Sequence, residues 1–135
     1  MDISVLICTF NRRETLRGCL THLAKQVNAD GFEWEVVVVD NNCTDGTDQM
    51  IADISSNANY RLRYVKEVQQ GLNYARNRGV RSSAGKYFVF IDDDILVTRG
   101  WLSAMYFALG RNDAEAVGGA NSFGSVIGFA AMDSA

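Results

Sequence analysis

With 135 residues, 47% of them hydrophobic, the chain is long enough to enclose one sizeable core and short enough to expect a single domain. A formal charge of −3 and a pI near 5.0 exclude a general polyanion binder, because counterion release on nucleic acid needs clustered Lys and Arg. The cysteines, Cys8, Cys19 and Cys43, are odd in number and form no C-x-x-C pair, so they imply neither a disulfide framework nor a zinc knuckle and fit a reducing, cytoplasmic compartment.

The first segment, DISVLICTF, has the continuous apolar character of a strand covered on both faces. Ser4, Thr9, Asn11 and Arg12 interrupt it, so it does not read as a signal peptide, and no apolar run approaches the roughly 18 residues that span a bilayer. Leu16, Cys19, Leu20, Leu23 and Val27 then recur at helical spacing, and Asn11 with Glu14 three residues on predicts a capping-box start. WEVVVVD is a second buried strand. After NNCTDGTD a second helix is expected with Met50, Ile51 and Ile54 inward, and RLRYVKEV reads as a shorter, more polar strand. GLNYARNRGVRS predicts a third helix, KYFVFID a fourth strand, the stretch holding Trp101, Leu102, Met105 and Leu109 a fourth helix, and AEAVGGA a last strand. The alternation makes an α/β chain with a mostly parallel sheet. Without proline, Gly, Asn and Asp make the turns.

In such sheets ligands sit beyond the carboxyl ends of the strands, where the polar loops CTFNRRE, DNNCTDGT, VQQGLNYARNRG and DDD gather. In an extended segment Asp92 and Asp94 share one side about 6.5 to 7 Å apart while Asp93 points away. Two anions at that distance repel by about 2.4 kcal/mol at an effective dielectric of about 20. A hard divalent cation offsets that repulsion, and Mg²⁺ takes only one or two protein carboxylates beside water and phosphate oxygens. A solvated acidic loop, or a cap for the next helix, is the competing reading of a bare D-D-D.

SVLICTFNRRETLRGCL, VVVVDNNCTDGT, GLNYARNRGVRSSAGKYFVFIDDDI and RGWLSAM, in that order, resemble the nucleotide-binding half of a family 2 glycosyltransferase over about residues 3 to 119. The resemblance implies a GT-A-like, Rossmann-like three-layer sandwich, a nucleotide-sugar donor with UDP as default, Mn²⁺ or Mg²⁺, and transfer with inversion at the anomeric carbon. Residues 92–94 correspond to the family's D-x-D signature, with Asp94 as direct metal ligand, Asp92 sharing that role or lying near the ribose or base, and Asp93 assisting. Asp40 matches the acid that accepts a hydrogen bond from the nucleobase, with Asn41 beside it. Thr9, Phe10 and Asn11 match the first nucleotide-binding loop, and Arg76 with Asn77 matches a segment flanking the donor. Arg12 and Arg13 could touch phosphate but are read first as solvated cations at a helix start, His22, Trp101 and Phe107 as filler or packing residues, and the glycines at 71, 79 and 85 as turn and helix-end residues.

An inverting transfer needs a general base, which in the family comes from the second half of the domain together with the acceptor surface. Only Asp133 follows Glu115 as an acid, and GSVIGFAAMDSA does not match the family's catalytic segment, so the chain reads as truncated, with residues 1–119 as a donor-binding half and 120–135 as an atypical apolar tail. No catalytic base is assigned, and the acceptor, sugar, lipid or protein, is unread. The alternative function is a catalytically incomplete nucleotide-sugar-binding module. Phe123, Val126, Ile127 and Phe129 offer an apolar surface for a homodimer. A nucleotidyltransferase would carry a glycine-rich loop that CTFNRRE lacks, and a receiver domain would want a late Lys.

Overall fold

The computed structural model describes residues 1–28, 30–112 and 126–131. The strands are β1 (Ile3–Thr9), β2 (Trp34–Asp40), β3 (Arg61–Lys66), β4 (Tyr87–Asp92) and β5 (Val126–Ala131), and the helices α1 (Arg13–Leu23), α2 (Thr47–Asn57), α3 (Leu72–Ser82) and α4 (Trp101–Asn112). The sheet order is β3-β2-β1-β4-β5, parallel through the first four and antiparallel at β5. This is the mostly parallel α/β sheet expected from the alternation.

Strand parity divides the core. Ile3, Val5, Ile7, Val36, Val38, Leu62, Val89 and Ile91 join the apolar faces of α1, α2 and α4 in one cluster. On the opposite face Leu6 and Val39 lie against Gly79 of α3, where a Cβ would come within 3.3 Å of the Val39 side chain. Helices on both faces explain why β1 and β2 are near-continuous apolar runs. Trp101 is buried in the main cluster, whereas Phe107, read as packing, is 62% exposed.

Two expectations for α1 are corrected. It ends at Leu23, so Val27 lies beyond it and is 55% exposed, its N–H bonded instead to the Arg99 carbonyl. Its start is not a capping box: Arg12 is the N-cap and makes no side-chain cap bond. Asp45 of the β2–α2 loop accepts the Arg13 N–H at 3.0 Å, and Asn11, at φ 51°, turns its Oδ1 to the Thr44 N–H at 2.7 Å. A neighbouring loop thus supplies a cap where local spacing seemed to offer one, and the orphan donor it satisfies is the Arg13 N–H. Glu14 instead bonds Arg17 at 2.9 Å.

The strand expected at AEAVGGA lies outside the described residues. Residues 126–131, inside the segment read as an apolar tail, form β5 against β4. Among the described residues no helix is long and apolar enough to cross a membrane.

Candidate functional site

The chain builds β1, β2 and β3 outward, then crosses back to lay β4 on the other side of β1. That reversal opens a crevice at the carboxyl ends of β1 and β4, where the loops above the two strands part in opposite directions. A cavity of about 420 Å³ lies there, lined by Cys8, Thr9, Phe10, Arg12, Asn41, Gln70, Gly71, Leu72, Ala75 and Asp92–Asp94.

The acidic triplet is not the extended segment assumed from the sequence. β4 stops at Asp92 and the chain turns, with the Ile95 N–H bonded to the Asp92 carbonyl at 3.2 Å. Strand alternation therefore fails after Asp92. Asp93 is the buried acid, 4% exposed; Asp92 is half-buried and Asp94 exposed. The Asp93 carboxylate accepts the Thr9 hydroxyl at 2.9 Å and pairs with Arg12 Nη1 at 2.9 Å. The other Arg12 Nη lies 3.8 Å from Asp94. Burial raises the Asp92 carboxyl and Asp94 raises it further, while Arg76 and Arg12 lower it. Burial likewise raises Asp93, against the Thr9 and Arg12 contacts. Burial is thus the main reason that both acids are raised.

Asn41 sets the opposite wall. Buried at the end of β2, its Nδ2 donates to the Glu67 and Gln69 carbonyls at 3.0 and 2.8 Å, and its Oδ1 accepts the Gly71 N–H at 2.9 Å. Asn42 adds a bond to the Val68 carbonyl at 2.9 Å. Gly71 has φ 139°, a backbone state closed to other residues, which lets the β3–α3 loop bend over the cavity before α3 begins.

Thr9, Phe10, Asn41, Asp92, Asp93 and Asp94 thus share one cavity. Asn11, Asp40, Arg76 and Asn77 lie outside its lining. Asp40 is buried at the end of β2, accepting the Tyr64 hydroxyl and the Cys43 N–H, each at 2.6 Å. Arg76 lies over the Phe90 ring at 6.0 Å, its Nε buried without a hydrogen-bond partner among the described residues. Asn77 is exposed on α3.

Sequence reading passed over Cys8, Gln70, Leu72 and Ala75, and favoured a solvated Arg12 over one that touches phosphate. Cys8 was signalled by parity alone, since it pairs with Asp92 across the β1–β4 ladder. Nothing local marked Arg12, because its partners lie more than 80 positions away. As for metal, among the described residues no group of three His, Cys, Asp or Glu converges. Of the three carboxylates that line the cavity, Asp93 is bonded on both oxygens, and Asp92 with Asp94 fits a hard cation that takes one or two protein oxygens and completes its shell from phosphate and water.

Residues 4–129 match the family model described as Glycosyl transferase family 2. The glycosyltransferase AglE of Haloferax volcanii is 30% identical over 117 residues, covering 87% of this chain and 38% of that protein. The structure of S. aureus TarS 1–349 in complex with UDP-GlcNAc superposes with a TM-score of 0.75 at 26% identity, over 86% of this chain and 33% of that one. The mannosyltransferase PcManGT of Pyrobaculum calidifontis, in complex with GDP-Man and Mn²⁺, gives a TM-score of 0.68 at 28% identity, over 78% of this chain and 32% of that one. The chain spans about a third of the length of each of these relatives.

Proposed function

The chain belongs to glycosyl transferase family 2, and from that premise we propose that its crevice holds the diphosphate of a nucleotide-sugar donor with a divalent cation, for sugar transfer with inversion. The observation that carries this reading is the split within the acidic triplet that lines the cavity at the strand-order reversal: Asp93 is buried with both oxygens bonded, whereas Asp92 is half-buried and Asp94 exposed. Mn²⁺ or Mg²⁺ would be held by Asp94 and Asp92. Lewis-acid neutralisation of the charge on the departing nucleoside diphosphate is the chemistry the cation supplies when bound.

The protein's own groups bind and orient. Phe10, half exposed at the lip, presents a ring face on which a base can stack. Asp40 is proposed to accept from the nucleobase, each carboxylate oxygen having a second lone pair beside its present bond. Asn11 holds the first loop to Thr44, and Thr9 holds Asp93, so both shape the donor side. Arg76, whose charge lowers the Asp92 carboxyl and whose buried Nε–H has no hydrogen-bond partner among the described residues, is proposed to flank the donor together with Asn77.

A UDP-sugar is the first donor to test, since the TarS neighbour was solved with UDP-GlcNAc; the GDP-Man complex of PcManGT makes GDP the second. Because the chain spans about a third of its relatives, the acceptor surface and general base are proposed to come from a further part of the polypeptide or from a second copy docked on the C-terminal segment. The second reading, a donor-binding module without transfer, rests on that same coverage. We place the protein in the cytoplasm, free or peripheral to a membrane.

Calorimetric titration with UDP-, GDP- and dTDP-sugars, with and without Mn²⁺, tests the site. Metal-dependent binding that Asp94→Ala weakens at least tenfold is expected. Nucleotide binding indifferent to both metal and Asp94 would overturn it. Donor hydrolysis and transfer assays then separate an enzyme from a binding module.

A further inference from the structure

We infer that Asp93 is no ligand but the buried anchor of Arg12, whose guanidinium it aims across the crevice to grip the donor diphosphate and to cover Asp94 until a cation binds. The inference rests on the donor-site reading above. Asp93 has one oxygen on the Thr9 hydroxyl and the other on Arg12 Nη1, each at 2.9 Å. A carboxylate buried and bonded on both oxygens has little reason to swing out toward a metal.

Arg12 is built the opposite way. Its backbone is fixed, because the Arg12 carbonyl accepts the Leu16 N–H at 2.9 Å and the neighbouring Asn11 is tied to Thr44. Its side chain is 50% exposed and lines the cavity. One Nη is held by Asp93; the other lies 3.8 Å from Asp94, too long for a hydrogen bond and close enough to neutralise charge. A guanidinium carries five N–H donors in a planar fork, so donors remain for an anion that enters beside the acids. Once a cation takes Asp94, Arg12 is left facing the phosphates. In this arrangement the first loop contributes a positive group to a crevice whose other lining residues, apart from the acids, are neutral.

Opposed signs test this. Mn²⁺ titration of the nucleotide-free protein should show Arg12→Ala binding the metal severalfold more tightly, because the competing cation beside Asp94 is gone. At saturating Mn²⁺ the same variant should bind UDP about tenfold more weakly and uridine unchanged, the loss being of a charged hydrogen bond to phosphate. Arg12→Lys should restore part of the UDP affinity, as a point charge without the fork. In an Asp93→Asn background Arg12→Ala should cost less UDP affinity than in the wild type, because the guanidinium is no longer aimed. Circular dichroism checks the fold; should Arg12→Ala lose it, Arg12→Lys carries the test through a reduced preference for UDP over uridine.

Mn²⁺, UDP and uridine affinities that all fall together would make Arg12 a structural residue and overturn the inference. So would UDP affinity unchanged in Arg12→Ala while the wild type binds UDP with Mn²⁺. A wild type that takes up neither Mn²⁺ nor UDP overturns the donor-site reading and this inference with it.

Discussion

Cys43 shows how much one side chain can do without reacting. Its Sγ accepts the Asn11 N–H at 3.2 Å and lies 3.7 Å from the Thr9 carbonyl, so the thiol laces the β1–α1 loop to the β2–α2 loop. Burial pushes its pKa up to about 11, with Asp40 adding to the rise and the Asn11 N–H opposing it. The thiol is therefore protonated and a poor nucleophile at neutral pH. Iodoacetamide labelling of Cys43, followed by peptide mass spectrometry, should be slow at pH 7 and speed up about tenfold per pH unit toward 11. Rapid labelling at pH 7 would contradict this. The absence of a C-x-x-C pair gave no reason to read Cys43 as a metal ligand, and its role as a loop clasp depends on partners more than 30 positions back and was invisible locally.

Among the elements, β4 is where register and function meet. Its pairing with β1 runs from Ile3 opposite Tyr87 to Cys8 opposite Asp92, and a slip of one residue would send Asp92 to the other face of the sheet. The register is pinned at the far end. Gly85 donates its N–H to the Ser4 hydroxyl at 2.8 Å, and a Cβ there would stand 2.7 Å from the Ser4 backbone nitrogen. Gly85→Ala must push the start of β4 away from β1, at a cost of about 1–3 kcal/mol. Thermal unfolding should show a Tm lowered by a few degrees for each kcal/mol. A Tm equal to that of the wild type would show that Ser4 and Gly85 do not hold the strands. The helices were legible as elements because their apolar stripes repeat, yet the start of α1 was misread. A spacing that mimics a capping box cannot report that Asp45, from a different loop, reaches the helix N-terminus first.

Across the molecule, the edge opposite the crevice holds a fully buried carboxylate. Glu35 accepts the Ser4 hydroxyl at 2.6 Å, the Ala84 N–H at 2.9 Å and Arg63 Nη1 at 3.0 Å, with Arg61 3.6 Å away. Burial raises its pKa, but these bonds outweigh burial and hold the group below its usual 4.5. A carboxyl depressed in the folded state contributes stability that is full above the unfolded value and fades as pH falls through the folded one. Glu35→Gln should therefore cost about 1–3 kcal/mol at neutral pH, with the gap from wild type narrowing only below about pH 4.5. Urea melts of both proteins at several pH values check this. A gap that closes already near pH 6 would show that Glu35 is not the group responsible.

The sequence by itself determined the alternation of elements, the mostly parallel sheet and the loops that gather at its carboxyl edge, because buried parallel strands and amphipathic helices write their periods into adjacent residues. It also marked Thr9, Phe10, Asn41 and Asp92–Asp94 before any coordinates placed them around one cavity. Only the tertiary structure decided that the chain turns after Asp92, so that the middle acid goes inward and the last one outward. It alone brought Arg12 to Asp93, tied Asp40 to the Tyr64 hydroxyl and laid residues 126–131 along β4. Such outcomes depend on which distant group reaches a polar atom first, and a hydrogen bond across 80 positions leaves no periodic trace in the chain that makes it.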